Sequence, residues 1–269
     1  MTSTQSPEEC VRAGRLGQAL HELQNRVRAQ PADAKDRLFL FQLLALLGQW
    51  NRAATQLGVA SDLDPSLLIL KQIYAQAIHA ESLRTRVFAG EVTPLILGEP
   101  PAWMAGLIES VRLEAQGHSE HAVQVRAQAL EEAPAIAGEV NGEAFAWIAD
   151  ADSRLGPCLE IIVDGKYMWA PFERVQQISI EPPTDLRDLI WASATVQWRN
   201  GGQTPAVIPA RYVGAEDYAD DALRMARRTE WSSPQPDTFV GQGQRMFATD
   251  TSEYPLLEIR ELKLAAMSS

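Results

Sequence analysis

The chain has 269 residues, 46% of them apolar and 22% charged. That is the length of two ordinary domains and the composition of a soluble globular protein, not of a disordered or fibrous one. Its formal net charge of −11 repels phosphate backbones and anionic lipid, so neither nucleic acid nor a membrane is an expected partner.

The acidity is uneven. Residues 1–136 hold 12 Lys and Arg against 15 Asp and Glu, whereas residues 137–269 hold 12 against 20. A partner of the second half would then carry basic patches, unless the charge serves only solubility. Cys10 and Cys158 lie far apart and form no C-x-x-C, so a reduced compartment and no disulfide framework are expected. The opening M-T-S-T-Q-S-P-E-E-C has neither a basic n-region nor an apolar h-region, so no signal peptide is expected. The apolar run Leu38 to Leu47 is interrupted by Gln42 and falls short of the ~18 residues of a membrane span. A cytoplasmic protein is therefore expected.

The first half repeats itself. Gly14, Leu16, Ala19, Leu23 and Pro31 recur as Gly48, Trp50, Ala53, Leu57 and Pro65, 34 residues apart. That period is the tetratricopeptide helix–turn–helix unit. Glycine permits the tight turn, Trp50 fills the space between helices, and Ala53 lets backbones approach. Asp64-Pro65 ends one helix and starts the next. Gly117, Ala122, Ala129 and Pro134 repeat Gly48, Ala53, Ala60 and Pro65 in a degenerate third unit. There, Ser119 and Arg126 replace bulky apolar residues, as Arg26 replaces Ala60 in the first unit. Two more apolar helices are expected, at Ser66 to Ala80 and Trp103 to Ala115, with Gly90 to Pro101 a loop carrying three prolines. About eight helices would form a short curved stack whose concave face could hold a helix or peptide, or simply pack on the second half.

After Pro134 the pattern becomes that of a β-rich α+β domain, giving a division into residues 1–134 and 135–269. Leu159 to Val163 and Lys166 to Ala170 flank Asp164-Gly165, a type I′ hairpin signal. Arg174 to Glu181 alternates, and Ala194 to Arg199 and Ala206 to Ala210 flank Asn200-Gly201-Gly202. Thr184-Asp185 caps a short helix, Asp217 to Arg228 reads as helical, and Phe247 to Thr249 and Leu256 to Leu262 as extended. Five of the seven tryptophans fall here, Trp147 and Trp169 among them, serving as core or, if exposed, as interface anchors.

Catalytic motifs are sparse. There is no G-x-S-x-G elbow and no P-loop, and Gly241-Gln242-Gly243 is a lone G-x-G. His118 and His121 lack the companions of a metal site. No cofactor, metal or catalytic residue is assigned. The one suggestive cluster is Asp150, Asp152 and Arg154. If extended, it would put two carboxylates on one side, suited to a metal or to acid–base work in a hydrolase. An Arg–Asp pair beside the Gly156-Pro157 turn is the ordinary alternative. A self-associating scaffold joined through exposed aromatics is a third possibility.

Several segments closely resemble one family. They are F-Q-L-L-A-L-L-G-Q-W (Phe41 to Trp50), N-G-E-A-F-A-W-I-A-D-A-D-S-R-L-G-P (Asn141 to Pro157), Y-M-W-A-P-F-E-R (Tyr167 to Arg174), P-P-T-D-L-R-D-L-I-W (Pro182 to Trp191), G-Q-G-Q-R-M-F-A-T-D (Gly241 to Asp250) and E-Y-P-L-L-E-I-R (Glu253 to Arg260). In this order they resemble the ImpE family, also called TagJ, of type VI secretion accessory proteins. The resemblance implies a cytoplasmic adaptor without catalysis. It implies binding to the N-terminal helix of the small contractile-sheath subunit, near the AAA+ ATPase that recycles contracted sheath.

Overall fold

The computed structural model describes residues 5–266; residues 1–4, the start of the segment read for a leader, lie outside it, as do residues 267–269. Seven helices come first: α1 (Pro7–Arg12), α2 (Leu16–Ala29), α3 (Ala34–Leu46), α4 (Trp50–Leu63), α5 (Leu68–Phe88), α6 (Ala102–Ala115) and α7 (Ser119–Glu132). The count is seven and not eight because the Trp103 to Ala115 helix is itself the first member of the third hairpin. α5 also runs on past Ala80 to Phe88, since no breaker intervenes before Gly90.

The repeat has one physical cause. At Gly14, Gly48 and Gly117 the backbone turns left-handed, and two hydrogen bonds close each preceding helix. At Gly48 its own N–H donates to the Ala45 carbonyl (3.0 Å) and the Gln49 N–H to the Leu44 carbonyl (2.8 Å). This glycine-dependent cap aims the chain into the next helix two residues later. Leu16, Ala19, Leu23, Ala53, Leu57 and Ala122 all fall on buried faces. The substitutions that degrade the repeat are accounted for by pairing. Arg126, buried where Leu57 stands, donates to Glu114 (3.1 Å) and to the Thr238 hydroxyl (2.6 Å) in the second half. Arg26, in place of Ala60, pairs with Glu8 and Asp36.

The second half supplies a nine-stranded sheet in the order β1-β6-β5-β9-β8-β7-β14-β2-β3. Its strands are β1 (Leu95–Ile96), β2 (Gly138–Val140), β3 (Glu143–Phe145), β5 (Cys158–Val163), β6 (Lys166–Pro171), β7 (Val175–Ile180), β8 (Trp191–Trp198), β9 (Gln203–Pro209) and β14 (Glu261–Leu264). Pairing is antiparallel throughout except between β1 and β6. β1 lies inside the segment expected to be all loop. A three-stranded sheet joins β13 (Glu253–Pro255), β12 (Met246–Thr249) and β4 (Ile148–Asp150), and β10 (Thr229–Ser232) pairs with β11 (Val240–Gly243). The two hairpins form as the turn residues dictate, with Asp164 at φ 48° and Gly165 at φ 72° in the first.

Strand alternation divides the sheet's two faces between two cores. Cys158, Ile162, Tyr167, Trp169, Trp191 and Val207 pack on the helices, with Phe41, Tyr74, Ala77 and Met104. Leu159, Ile161, Met168, Ala192 and Ile208 face a second core that includes Phe247 and Leu256. The helical half and the sheet therefore share a core across Pro134. α3, apolar almost all round, is buried along most of its length between them.

Three segments differ from expectation for tertiary reasons. Helix α8 spans only Asp221–Arg224, not Asp217 to Arg228. Asp220 caps its start, accepting the Ala222 N–H (2.7 Å), and the left-handed backbone of Ala226 (φ 51°) ends it, with Gln244 holding the Ala226 carbonyl (2.7 Å). Leu256–Glu258 is a 3-10 turn and not strand; the Arg260 guanidinium reaches back to the Leu257 carbonyl (2.6 Å) and holds the bend. The capped segment after Thr184 is a 3-10 turn, Leu186–Leu189, braced by Asp185 and Asp188.

The hairpin turn at Gly48 offers a direct check. It sits at φ 67°, and a Cβ added there would meet the Glu216 side chain at 2.6 Å. Gly48→Ala should lower stability by about 1–2 kcal/mol, seen as a lower urea midpoint at unchanged slope.

Candidate functional site

The residues singled out for possible chemistry lie where α5, β5, β6 and the β4–β5 turn converge. Asp150 ends β4 and is buried, as is Asp152 two residues on. The segment is not extended beyond Asp150 but bends into a turn. Asp150 accepts from the Asp152 N–H (2.9 Å) and the Tyr212 hydroxyl (3.1 Å), and its other oxygen meets the Arg245 guanidinium. Asp152 is gripped by Arg154, from Nε (2.9 Å) and Nη2 (2.6 Å), and accepts the Gly241 N–H (3.0 Å). That bond accounts for part of the G-x-G segment. A Cβ at Gly241 would also lie 2.1 Å from the Tyr212 ring, so only glycine fits.

The centre of the cluster is a residue the sequence did not single out. Glu160, wholly buried on β5, accepts from Arg84 Nε (2.7 Å) and Nη2 (3.0 Å), and from Tyr167 and Arg245. Arg84 and Glu81 both come from α5, and Glu81 in turn accepts the Trp191 indole N–H (2.8 Å). Arg84 also donates to the Arg211 carbonyl (2.7 Å), and Arg245 to that of Pro209 (2.8 Å). Trp169 belongs to the same assembly, its indole N–H donating to the Tyr167 hydroxyl (2.7 Å). The Arg154 guanidinium lies 4.7 Å from the centre of the Phe88 ring, which tilts against Trp169 at 5.9 Å. Trp147 is not part of it; the side chain is 39% exposed. The signal available in the sequence was a charge inside an apolar pattern: Glu160 in C-L-E-I-I-V, and Glu81 and Arg84 on the α5 stripe through Tyr74, Ala77 and Ile78.

The electrostatics divide the carboxyls. Burial raises the Glu160 carboxyl, but Arg84 and Arg245 outweigh it and hold it down at about 2. Burial dominates at Asp150, which is pushed up to about 7 despite Arg245. Burial also raises Glu81. A metal or hydrolytic role would need open carboxylates, and here both Asp150 and Asp152 are committed to donors within the core. The Arg–Asp pair at the turn is what forms. Among the described residues no group of three or more His, Cys, Asp or Glu side chains is placed to hold a metal ion, and no helix is long and apolar enough to cross a membrane. Cys10 and Cys158 are free, buried thiols.

Accessible geometry lies elsewhere. A groove of about 770 Å³ runs between α1 and α3, the first helices of consecutive units, and is closed by Thr184 to Leu186. Val11, Leu38 and Phe39 give it apolar surface, while Arg12, Lys35 and Asp185 give it charge of both signs. Gln42, the polar break in the apolar run, accepts the Leu186 N–H (3.0 Å) and ties the groove's two sides together.

Helical hairpins fixed to a sheet, with an open groove along the first helices of the units, form a repeat-type scaffold fold. A family model described as ImpE protein matches residues 142–263. The chain is 49% identical over 255 residues to the Type VI secretion system accessory component TagJ of Pseudomonas aeruginosa, covering 95% of this chain and 89% of that one. A crystal structure of a Vibrio parahaemolyticus protein shares the fold, with a TM-score of 0.88 at 23% identity, covering 97% of this chain and 98% of that one. The chain belongs to the ImpE/TagJ family.

The network makes opposite demands on pH. A carboxyl raised in the folded state contributes fully below its unfolded value and loses that contribution as pH climbs to the folded value. For Asp150 that window runs from about 4 to about 7. Glu160 contributes above 4.5 and loses it as pH falls towards 2. Denaturant unfolding across this range should show Asp150→Asn removing a decline on the neutral side and Glu160→Gln removing the acid limb. Arg245→Met, which removes the arginine from Asp150 and one of two from Glu160, should cost about 3–5 kcal/mol at neutral pH.

Proposed function

We propose that this chain is a non-enzymatic, cytoplasmic accessory protein of a bacterial type VI secretion machine. It captures the N-terminal helix of the small contractile-sheath subunit and so modulates sheath assembly or recycling by the AAA+ ATPase. The observation that carries the reading is the groove between α1 and α3, preformed and lined by Val11, Leu38 and Phe39 beneath a charged rim. An amphipathic helix recognised at i, i+3, i+4 and i+7 suits such a surface. The 49% identity to a type VI accessory component supports the setting. Commitment of Asp150 to the buried Arg245 and of Asp152 to the half-buried Arg154 supports the absence of chemistry there.

In this reading residues 1–134 supply the receptor surface and residues 135–269 hold it in shape, so the test uses the whole chain. A synthetic peptide of the sheath subunit's N-terminal helix, titrated by fluorescence anisotropy, should bind saturably. Phe39→Asp should weaken it by at least about tenfold at a temperature where circular dichroism shows the variant folded. No binding, or equal binding by the variant, would reject the groove as the receptor.

A further inference from the structure

A second surface lies outside that groove and the buried network. Leu63 at the end of α4 is 41% exposed, and Leu68, Ile69 and Ile73 at the start of α5 are 57%, 74% and 45% exposed. Ile69 and Ile73 are one turn apart and share a helix face with Gln72 and Gln76. This face is one wall of a groove of about 480 Å³, floored by Tyr74 and by Ile162 and Val207 of the sheet, with Ser193 and Thr195 beside them. Large aliphatic side chains held in water beside an apolar floor are the mark of an interface and not of a finished surface.

The surroundings restrict the occupant. The floor strands are interior: β9 pairs with β5 and β8, and β8 with β9 and β7. Their backbone groups are taken, so an added strand finds no edge to join. The occupant must bring side chains alone, as an amphipathic helix does. The charged residues lining the groove are Asp164 and Glu181, both exposed carboxylates. Lys71, on the neighbouring turn, is drawn to Asp62 at 3.7 Å. A second copy of this chain would bring the same carboxylates to the same place, so like charge disfavours it.

We propose that the groove between α5 and strands β5, β8 and β9 docks a helix of another protein, apolar on one face and flanked by Lys or Arg. This site is separate from the α1–α3 groove and lets the chain hold two partners at once.

The probes are two synthetic amphipathic helices with one leucine face, one flanked by lysine and the other by glutamate. Each is titrated into the full-length protein by anisotropy. The lysine-flanked peptide should bind more tightly. Ile69→Asp/Ile73→Asp, at exposed positions that leave the core intact, should weaken it at least about tenfold. Glu181→Lys should reverse the preference between peptides, an outcome misfolding does not produce. Phe39→Asp should leave this binding unchanged, and the Ile69/Ile73 variant should still take the sheath-helix peptide. Equal binding by wild type and the isoleucine variant, or no charge preference, overturns the proposal. So does concentration-dependent dimerisation lost in the isoleucine variant, which would make the occupant a second copy. Loss of the sheath-helix peptide in the isoleucine variant and not in Phe39→Asp would move that helix here and overturn the two-site arrangement.

Discussion

A carboxylate with no exposed surface is tolerated only when every strong donor around it is fixed in place. Glu160 is such a group, and its donors come from three directions: Arg84 from α5, Tyr167 from the adjacent strand, and Arg245 from the approach to β12. Desolvating each ion costs several kcal/mol, recovered only if the geometry is complete. The helices, the large sheet and the small sheet must therefore meet in one arrangement. Apolar packing between Trp169, Phe88, Tyr74 and Trp191 would allow some sliding; the guanidiniums do not.

That constraint has a consequence for binding. The helical units are anchored to the second half by α5 through Arg84 to Glu160 on β5, by α7 through Arg126 to Thr238, and by α3 through Gln42 to Leu186. The grooves on either side of the stack are consequently shaped before a partner arrives. Preorganisation of this kind lowers the ordering cost of any association at these surfaces. The polar cluster with the strongest catalytic look in the sequence is tied into the same network, Asp150 to Arg245 and Asp152 to Arg154.

Legibility varied with the range of the interaction. The repeat was plain because its cause is local: a glycine closes a helix, a small residue lets the next helix approach, and proline starts another. Both hairpins followed from their turn dipeptides in the same way. Helix α8 is shorter than its pattern suggests because the backbone turns left-handed at Ala226, whose carbonyl is held by Gln244, remote in the chain. Arg126 and Arg26 read as decay of the repeat until their partners, Glu114, Thr238, Glu8 and Asp36, were seen. The sequence marks the cluster at Asp150 by its adjacent charges but not its centre, Glu160, because a single charge in an apolar strand has no partner within reach along the chain.

The amino-acid sequence by itself determined the helical hairpins, the antiparallel strands and the acidic balance, all of which depend on residues within a few positions of one another or on simple sums. The tertiary structure decided which charges are buried together, which faces stay open and where the grooves lie. Those depend on Arg84, Glu160 and Arg245 meeting across up to 161 positions of chain, and on α5 crossing a sheet so that one of its faces is left to solvent.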